Sequence, residues 1–303
     1  MFVACAADDR FAMPLAVMAR SAAENLDPGR RLHLFVLDGG IREKSRRRLL
    51  ASWAGQRLDV EWVALDRSRL AEMKVTGHVA VATYFRLLLP ELLPASLSRV
   101  LYLDADVVVE SDLGPLWDTD LRELALAAAQ DLIVGHVSAP NGLRNWRELG
   151  LGEGAKYFNA GVLLLDLDRW RSERLGERVL DYLRRHRDVV RWWDQDGLNA
   201  VLAGRWLELD PRWNLTIQSE TLPSVPPCDA ATFREAIARP YVTHFLTHVK
   251  PWHTTCRHPR RDVFFRYLDE TAWRGWRPRR NLLRGFRLHR RSRPPAKADG
   301  EPG

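Results

Sequence analysis

Two aspartates interrupt an apolar stretch of the chain at residues 101–109, which read LYLDADVVV. The apolar residues on either side predict a strand buried on both faces, and such a strand has no ordinary use for two acids. Side chains at positions i and i+2 of an extended chain point the same way. Asp104 and Asp106 would therefore form an oxygen-rich site for a divalent cation, with diphosphate oxygens filling its remaining positions. The alternative is a strand that ends in an aspartate-rich turn, since a bare Asp-x-Asp is common.

A single arginine stands in another apolar stretch. Arg86 is the one charged residue of the segment 83–89, which is predicted to form a helix closed by Pro90 and Pro94. A buried arginine needs an anion. By pattern alone, a structural carboxylate and a phosphate are equally good partners.

Later in the chain, polar residues gather near predicted strand and helix ends. His244 and Lys250 lie in the cluster 244–253. A lone histidine there is usually structural, but together the two offer a metal ligand and a cation for phosphate. Small residues at 159–161 permit close backbone approach to a ligand, or else form a tight turn. The acidic segment 192–199 opens a helix, and we interpret Asp196 as a cap.

The elements that position these residues follow from hydrophobic periodicity. Strands are predicted at 2–7, 32–37 and 58–64, with helices at 14–26 and 42–50 between them. This β-α-β-α-β order predicts a mostly parallel sheet with right-handed crossovers. Ligands bind beyond the carboxyl ends of such strands, which is where Asp8 and Asp9 stand. The later pattern predicts strands at 124–129, 162–165, 206–209 and 241–245, a helix at 175–187, and a mobile loop at 139–153.

Length and composition limit the class of protein. A chain of 303 residues with 46% hydrophobic residues suits one large α/β domain, or such a domain with an extension. Cys5, Cys228 and Cys256 are far apart and lack CxxC spacing, which favours a reducing compartment over disulfides or zinc. No stretch is apolar for long enough to span a bilayer, and the N-terminus lacks the features of a signal peptide. These features predict a cytoplasmic protein.

The positive charge is concentrated at the C-terminus. From Arg274 onward, nine arginines and Lys297 face only Asp299 and Glu301, a net +8, so the chain's overall +7 leaves −1 for residues 1–273. We predict a domain over 1–270 and a basic tail over 271–303. Aromatic and leucine residues among the arginines of 273–293 predict an anchor on the anionic inner face of the membrane. The alternative is a solvated, disordered tail. No recognition motif accompanies it, so nucleic acid is not expected as a partner.

Several of these stretches occur together in one known family. The chain resembles glycosyltransferase family 8, above all the bacterial lipopolysaccharide α-galactosyl- and glucosyltransferases, with glycogenin as a distant relative. The resemblance covers roughly residues 1–260. It rests on AADD at 6–9, TYFRL at 83–87, LYLDAD at 101–106, FNAGV at 158–162, DQD at 194–196 with LN at 198–199, PRWN at 211–214, and HF at 244–245 with KPW at 250–252.

The resemblance implies a GT-A fold, which is a Rossmann-like, mostly parallel sheet flanked by helices that binds a UDP-sugar and Mn²⁺ or Mg²⁺. It implies that Asp104, Asp106 and His244 are the metal ligands, a set of oxygen and nitrogen donors that suits Mn²⁺. The implied donor-binding residues are Ala6, Ala7 and Asp8 at the uridine, Arg86, Asp131, Asn159, Ala160, Asp194 and Gln195 toward the sugar, Thr247 and Lys250 near the diphosphate, and Ala105. His78 and Pro211 match acceptor positions.

Two residues depart from the family pattern. Thr247 replaces the glycine that usually stands beside the diphosphate, so a side chain could narrow the phosphate path or donate its hydroxyl. Arg10 replaces a residue that is often asparagine. The contacts to base and ribose can therefore differ from those of the family.

The resemblance implies hexose transfer to a saccharide or glycolipid hydroxyl with retained anomeric configuration. Gln195 matches the residue at the β-face of the sugar, and an amide is a poor nucleophile, which favours same-face attack over double inversion. Gln195 and Asp194 are thus the predicted catalytic residues, with Asp194 orienting sugar hydroxyls. The rival hypothesis is a nucleotide-sugar-binding module that has lost turnover and docks a partner through its tail.

Overall fold

The computed structural model describes residues 1–73, 81–216, 229–246 and 248–279. Strands run over β1 Phe2–Ala7, β2 Leu32–Asp38, β3 Leu58–Val63, β4 Arg99–Leu103, β5 Val107–Val109, β6 Leu126–Gln130, β7 Phe158–Asp166, β8 Leu207–Glu208 and β9 Val242–His244. α-Helices run over α1 Ala12–Glu24, α2 Glu43–Trp53, α3 Leu89–Leu92, α4 Gly114–Trp117, α5 Leu167–Ser172, α6 Leu175–Arg185, α7 Trp193–Leu202, α8 Ala230–Ala238 and α9 Arg261–Leu268. The 3₁₀ helices occupy Asp9–Phe11, Arg67–Leu70, Val81–Leu88 and Pro211–Asn214.

The described strands form a seven-stranded sheet and a two-stranded sheet. The large sheet has the order β3-β2-β1-β4-β7-β6-β8, and the small one pairs β5 with β9. β3, β2, β1 and β4 are parallel, as are β6 and β8, whereas β7 runs antiparallel between β4 and β6. The prediction of a mostly parallel sheet with α1 and α2 as crossovers is confirmed.

Successive side chains of the central strands point to opposite faces of the sheet and pack into two hydrophobic cores, one on each face. Val3 and Cys5 pack with α1, α2 and α9 on one face. Ala4 and Tyr102 pack on the other face with the 3₁₀ helix Val81–Leu88 and with α5, α6 and α7. Because both faces are covered, the central strands β1, β4, β6 and β7 are largely apolar, as the sequence pattern predicts.

The stretch 101–109 is not one strand, which corrects the first prediction. β4 ends at Leu103, the chain turns through Asp104–Asp106, and β5 then joins a different sheet. The turn is held at both ends, because Asp104 N donates to Gly161 O at 2.8 Å and Asp106 O accepts from Phe245 N at 3.1 Å. The backbone therefore follows the alternative prediction, in which the strand ends in an aspartate-rich turn.

The segment predicted as a helix closed by Pro90 also differs. It forms the 3₁₀ helix Val81–Leu88, and Pro90 lies in the first turn of α3 instead of ending a helix. Proline is tolerated in a first turn because the N–H groups there have no intrahelical partner. The segment 139–153 is a series of turns, as predicted; its mobility stays a prediction.

Packing at the C-terminal end continues past the predicted boundary at residue 270. Trp273 is only 7% exposed and belongs to the core beside α1 and α2. Ala272 N donates to the Ser52 hydroxyl at 3.0 Å, and the Arg48 guanidinium lies 4.1 Å from the Trp273 ring centroid. Trp273 is therefore part of the body and not of a membrane anchor, which corrects its assignment. The remainder of the predicted anchor from residue 280 lies outside the described residues, as does Cys228.

Cys5 and Cys256 are buried free thiols. Within residues 1–73, 81–216, 229–246 and 248–279, no helix combines the length and apolar character needed to cross a bilayer.

Candidate active site

A cavity of about 440 Å³ opens beyond the carboxyl ends of β1, β4 and β6. Parallel strands expose their last residues at this edge, and antiparallel β7 contributes its first residues there instead. The cavity is lined by these sequence-predicted residues: Ala6, Ala7, Asp8, Arg86, Asp104, Ala105, Asp106, Asp131, Asn159, Ala160, Asp194, Gln195, His244 and Lys250. Pro211 does not line it and begins a 3₁₀ helix, while His78 and Thr247 lie outside the described residues.

Three predicted metal ligands converge at one end of the cavity. Asp104, Asp106 and His244 each offer a ligand atom, and these atoms lie within 4.8 Å of one another. His244 Nε2 is 3.4 Å from an Asp106 oxygen and 3.8 Å from an Asp104 oxygen. The pairing of β5 with β9, which places Val107 opposite His244, brings the histidine to the acidic turn. Two carboxylates and an imidazole fit a divalent cation such as Mn²⁺.

Glycine at position 161 makes room for the histidine ring. A Cβ built there would lie 2.6 Å from His244 Nδ1 and 3.0 Å from an Asp104 oxygen. Such distances are too short for ordinary contacts, so any side chain at this position would push the ligands apart. The small residues at 159–161 were predicted to permit close approach of a ligand. At Gly161, the group that approaches closely is the side chain of His244.

Arg86 holds two carboxylates together. Its guanidinium is buried, with Nη2 at 2.9 Å from Asp104 and Nε at 2.9 Å from Asp194, and it also donates to the carbonyls of Ala160 and Thr83. Burial acts to lower its pKa, but the two acids outweigh that effect and raise it above the ordinary value. The sequence pattern left either a carboxylate or a phosphate as the partner of Arg86. The structure places two carboxylates beside it.

Lys250 lies beside the predicted metal ligands. Its ammonium donates to Asp106 at 2.5 Å and to the Phe245 carbonyl at 2.6 Å. Burial acts to raise the pKa of the Asp106 carboxyl, yet the Lys250 ammonium is the largest influence that lowers it, and the pKa lies below its usual range. Asp106 is thus held as a carboxylate, the form in which it could bind a cation.

Gln195, which also lines the cavity, is fixed by its hydrogen bonds. Its Nε2 donates to Asp131 at 3.1 Å, and its Oε1 accepts from Ala160 N at 2.9 Å. Asn159 Nδ2 donates to the same Asp131 oxygen at 2.9 Å. The amide orientation of Gln195 is therefore set by one carboxylate and one backbone N–H.

The two aspartates beside Gln195 have different roles. Asp194 is buried, accepts from the Thr83 hydroxyl at 2.9 Å, and has its pKa raised to about 6 by burial despite the opposing effect of Arg86. Asp196 accepts from Tyr157 Oη at 2.7 Å and from two backbone N–H groups that precede α7. This confirms the interpretation of Asp196 as a structural cap.

Arg10, which departs from the family pattern, pairs with the nearby Asp8. Arg10 N donates to Asp8 Oδ1 at 2.9 Å, and its guanidinium pairs with Asp8 Oδ2 at 2.8 Å. The carboxylate predicted to accept the uracil N–H is thus oriented and neutralised from outside the cavity. An asparagine at this position could not supply that charge.

Sequence reasoning missed the roles of Thr83, Tyr102 and Asn214, although all three stand in motifs quoted above. Tyr102 Oη donates to Asp104 at 3.0 Å, and Asn214 lies 2.9 Å from His244 Nδ1. Trp192 and Trp193 also line the cavity. In the sequence, each of these five residues appears only as a polar or aromatic residue near apolar ones. That pattern does not indicate which side chains or cavity the residue faces.

A Rossmann-like sheet whose carboxyl edge carries this acidic turn is the GT-A fold of glycosyltransferases. The chain belongs to glycosyl transferase family 8, which its sequence matches over residues 2–256. It is accordingly a glycosyltransferase.

Relatives cover most of the chain. It is 30% identical over 278 residues to general stress protein A of Bacillus subtilis, spanning 90% of this chain and 94% of that one. It is 32% identical over 217 residues to lipopolysaccharide 1,2-glucosyltransferase of Escherichia coli, spanning 71% and 62% respectively. Among solved structures it resembles galactosyltransferase LgtC in complex with donor and acceptor sugar analogs, with a TM-score of 0.77, 29% identity and coverage of 94% and 99%.

Proposed function

We propose that this protein is a retaining hexosyltransferase. It moves galactose or glucose from a UDP-sugar to a hydroxyl of a saccharide or glycolipid, with Mn²⁺ or Mg²⁺ as cofactor. The observation that carries the proposal is the convergence of Asp104, Asp106 and His244 at one end of a cavity that also holds Gln195. Similarity to a lipopolysaccharide glucosyltransferase and to galactosyltransferase LgtC supports a hexose donor and a lipopolysaccharide acceptor.

Some of the charged residues act on the leaving diphosphate, and others act on the sugar. A cation held by the three ligands would neutralise charge that develops on the departing diphosphate. Lys250 lies beside those ligands and adds a second positive charge there. Arg86 acts through the carboxylates it holds, since it keeps Asp104 toward the metal and Asp194 toward the sugar.

Retention by double inversion needs a nucleophile at the β-face of the anomeric carbon. Gln195 is the residue assigned to that face, and its carbonyl oxygen already accepts a hydrogen bond from Ala160 N. An amide held in this way is a weak nucleophile but can stabilise a positively charged, oxocarbenium-like sugar. The acceptor hydroxyl then attacks from the face that the diphosphate leaves, and the leaving diphosphate accepts its proton.

The decisive experiment measures UDP release from a panel of UDP-sugars with and without Mn²⁺, using the wild type, Asp104→Asn and Asp106→Asn. Each substitution removes a ligand charge while keeping the side-chain shape. We expect Mn²⁺-dependent release by the wild type, lost by a factor of about 100 or more in either variant. Asp59→Asn is the matched control, because Asp59 is exposed and pairs with Arg31 away from the cavity.

Near-normal turnover of either ligand variant in Mn²⁺ would overturn the metal-dependent mechanism. If the wild type bound UDP-sugars but released no UDP under any condition, the rival hypothesis of a binding module would replace this one.

A further inference from the structure

We propose that Asn214 is a positioning residue that holds His244 in the tautomer able to bind a metal ion. This inference rests on the proposed metal-dependent function and concerns a residue outside the ligand set. Asn214 is 1% exposed and His244 is 3% exposed, so the contact between Asn214 and the Nδ1 side of the ring is shielded from solvent. His244 Nδ1 lies 2.9 Å from Asn214 Oδ1, and Nε2 points toward Asp104 and Asp106.

A neutral imidazole carries its proton on one nitrogen only, so the partner of Nδ1 decides what Nε2 can do. If Nδ1 carries the proton, Nε2 presents a lone pair to the cavity and can coordinate a cation. If Nε2 carries the proton, it donates to a carboxylate and cannot coordinate. The identity of the Asn214 atom that faces the ring is therefore the deciding feature.

A backbone group assigns that atom. Gly161 N donates to the Asn159 side chain at 2.9 Å, and a backbone N–H can only donate, so the accepting atom is Asn159 Oδ1. The same oxygen lies 2.9 Å from the Asn214 side chain, which must turn its Nδ2 toward it. The other Asn214 atom, Oδ1, then faces the ring and requires a proton on His244 Nδ1.

The Asp131 carboxylate, at the other end of this chain of hydrogen bonds, supports the same orientation of the Asn159 amide. Asn159 Nδ2 donates to Asp131 Oδ2 at 2.9 Å, and a carboxylate accepts but does not donate. All hydrogen bonds from the ring to Asp131 thus run in one direction. Since Gln195 also donates to Asp131, the chain of side chains joins the metal ligand to the residue proposed to act on the sugar.

The test has two readouts that do not require turnover. The first is the tautomer of His244 in metal-free protein, read by long-range ¹H–¹⁵N correlation at a pH where imidazole is neutral. Its signal is identified as the one absent from His244→Ala. The second is the Kd for Mn²⁺ alone, from the electron paramagnetic resonance signal of free Mn²⁺. Both are measured for the wild type, Asn214→Ala and Asn214→Asp.

We expect the wild type to show the Nδ1–H form. Asn214→Ala should lose that preference and bind Mn²⁺ about tenfold or more weakly, as is usual for lost partners of metal-bound histidines. Asn214→Asp keeps an oxygen beside Nδ1 and should keep the tautomer. The control is Asn145→Ala, because Asn145 is also buried and also lies beside a histidine, His186, but outside the cavity.

An Nε2–H tautomer in the wild type would overturn the inference, even if Asn214→Ala did not fold. An unchanged tautomer and Mn²⁺ affinity in folded Asn214→Ala would overturn it as well. His244→Ala separates this failure from failure of the metal site. If His244→Ala bound Mn²⁺ as tightly as the wild type, the proposed function itself would be wrong.

Discussion

At the scale of single residues, the two buried cations of the cavity each contact carboxylates. Arg86 lies between Asp104 and Asp194, and Lys250 contacts Asp106. Removing one partner of a buried pair leaves an uncompensated charge and costs about 3–5 kcal/mol. Variants at these positions therefore need a stability measurement beside each activity measurement.

Among the described residues, Asp131 is the only charged group to which Gln195 is seen to hydrogen-bond, so its substitution is a cleaner probe of the chemical step. We expect Gln195→Ala to lower kcat by about 10- to 100-fold while the Kd for donor changes less, because the amide acts on the transition state. Donor Kd is measured by calorimetry and kcat by UDP release. Gln130→Ala, at a buried glutamine outside the cavity, should leave both unchanged.

Mass spectrometry of Gln195→Glu after incubation with donor tests the stereochemical route. A glycosyl adduct at this position would favour double inversion over same-face attack.

The raised pKa of Asp194 predicts a pH dependence of stability. Its folded value of about 6 lies above the unfolded value of about 3.9. Asp194 therefore contributes stability that is fully present below about pH 4 and is lost as pH rises through about 6. Relative to Asp194→Asn, the free energy of unfolding of the wild type should fall over this range, by on the order of 2–3 kcal/mol. Urea unfolding of metal-free protein measures it.

An exposed aspartate provides the control of sign. Arg31 lowers the pKa of Asp59, so relative to Asp59→Asn the wild type should gain stability as pH rises toward the unfolded pKa of about 3.9 and should not lose stability between about pH 4 and 6. If the wild type instead gained stability over Asp194→Asn with rising pH, the ion pair with Arg86 would outweigh the burial of Asp194.

At the scale of elements, β7 organises the site. It runs antiparallel between β4 and β6, so its first residues reach the edge where the parallel strands end. Asn159, Ala160 and Gly161 thereby contact three different parts of the site: Asp131, Gln195 and His244 respectively.

Gly161→Ala should weaken Mn²⁺ binding by at least tenfold, because the added methyl group would lie 2.6 Å from His244 Nδ1. Alanine otherwise tends to stabilise a chain by reducing unfolded-state entropy, so a loss of function would reflect the clash. Kd for Mn²⁺ and urea unfolding measure the two effects. Gly152→Ala has open space around the new methyl group and should change stability by no more than about 0.5 kcal/mol. Equal Mn²⁺ affinity of both variants would contradict the packing argument.

At the scale of the whole molecule, the folded body extends further than its charge pattern indicated. A chain ending at residue 270 would lose Thr271 and Trp273, which are buried against the body. The basic tail should therefore be removed after residue 279, where the described residues end.

The anchor stays a prediction, and cosedimentation with vesicles tests it. The full chain should bind anionic vesicles at low salt and release as salt rises, since each basic residue near the surface contributes about 1 kcal/mol. A chain ending at 279 should remain folded and active but no longer cosediment. A full-length variant with Arg284, Arg287 and Arg290 changed to glutamine keeps the apolar residues and should bind weakly. Equal partitioning of all three proteins, or equal binding to neutral vesicles, would leave only the disordered-tail alternative.

The sequence by itself determined the order of the first elements, the parallel sheet and the edge at which ligands bind. These follow from periodicity within short segments, because a strand or helix buries its own apolar side. Pattern alone placed Asp8, Asp104 and Asp106 at that edge, since polar residues after buried strands gather there, and the resemblance to family 8 supplied most of the other residues that line the cavity.

Only the tertiary structure decided which of these residues meet. The pairing of β5 with β9 brings His244 to Asp104 and Asp106, and the sequence pattern of either strand alone does not say which distant strand it pairs with. The same holds for Arg86, whose partners were open until the fold placed two carboxylates beside it, and for Trp273, whose burial depends on α2. Asn214 acquires its role only through contacts with residues 55 positions before it and 30 positions after it.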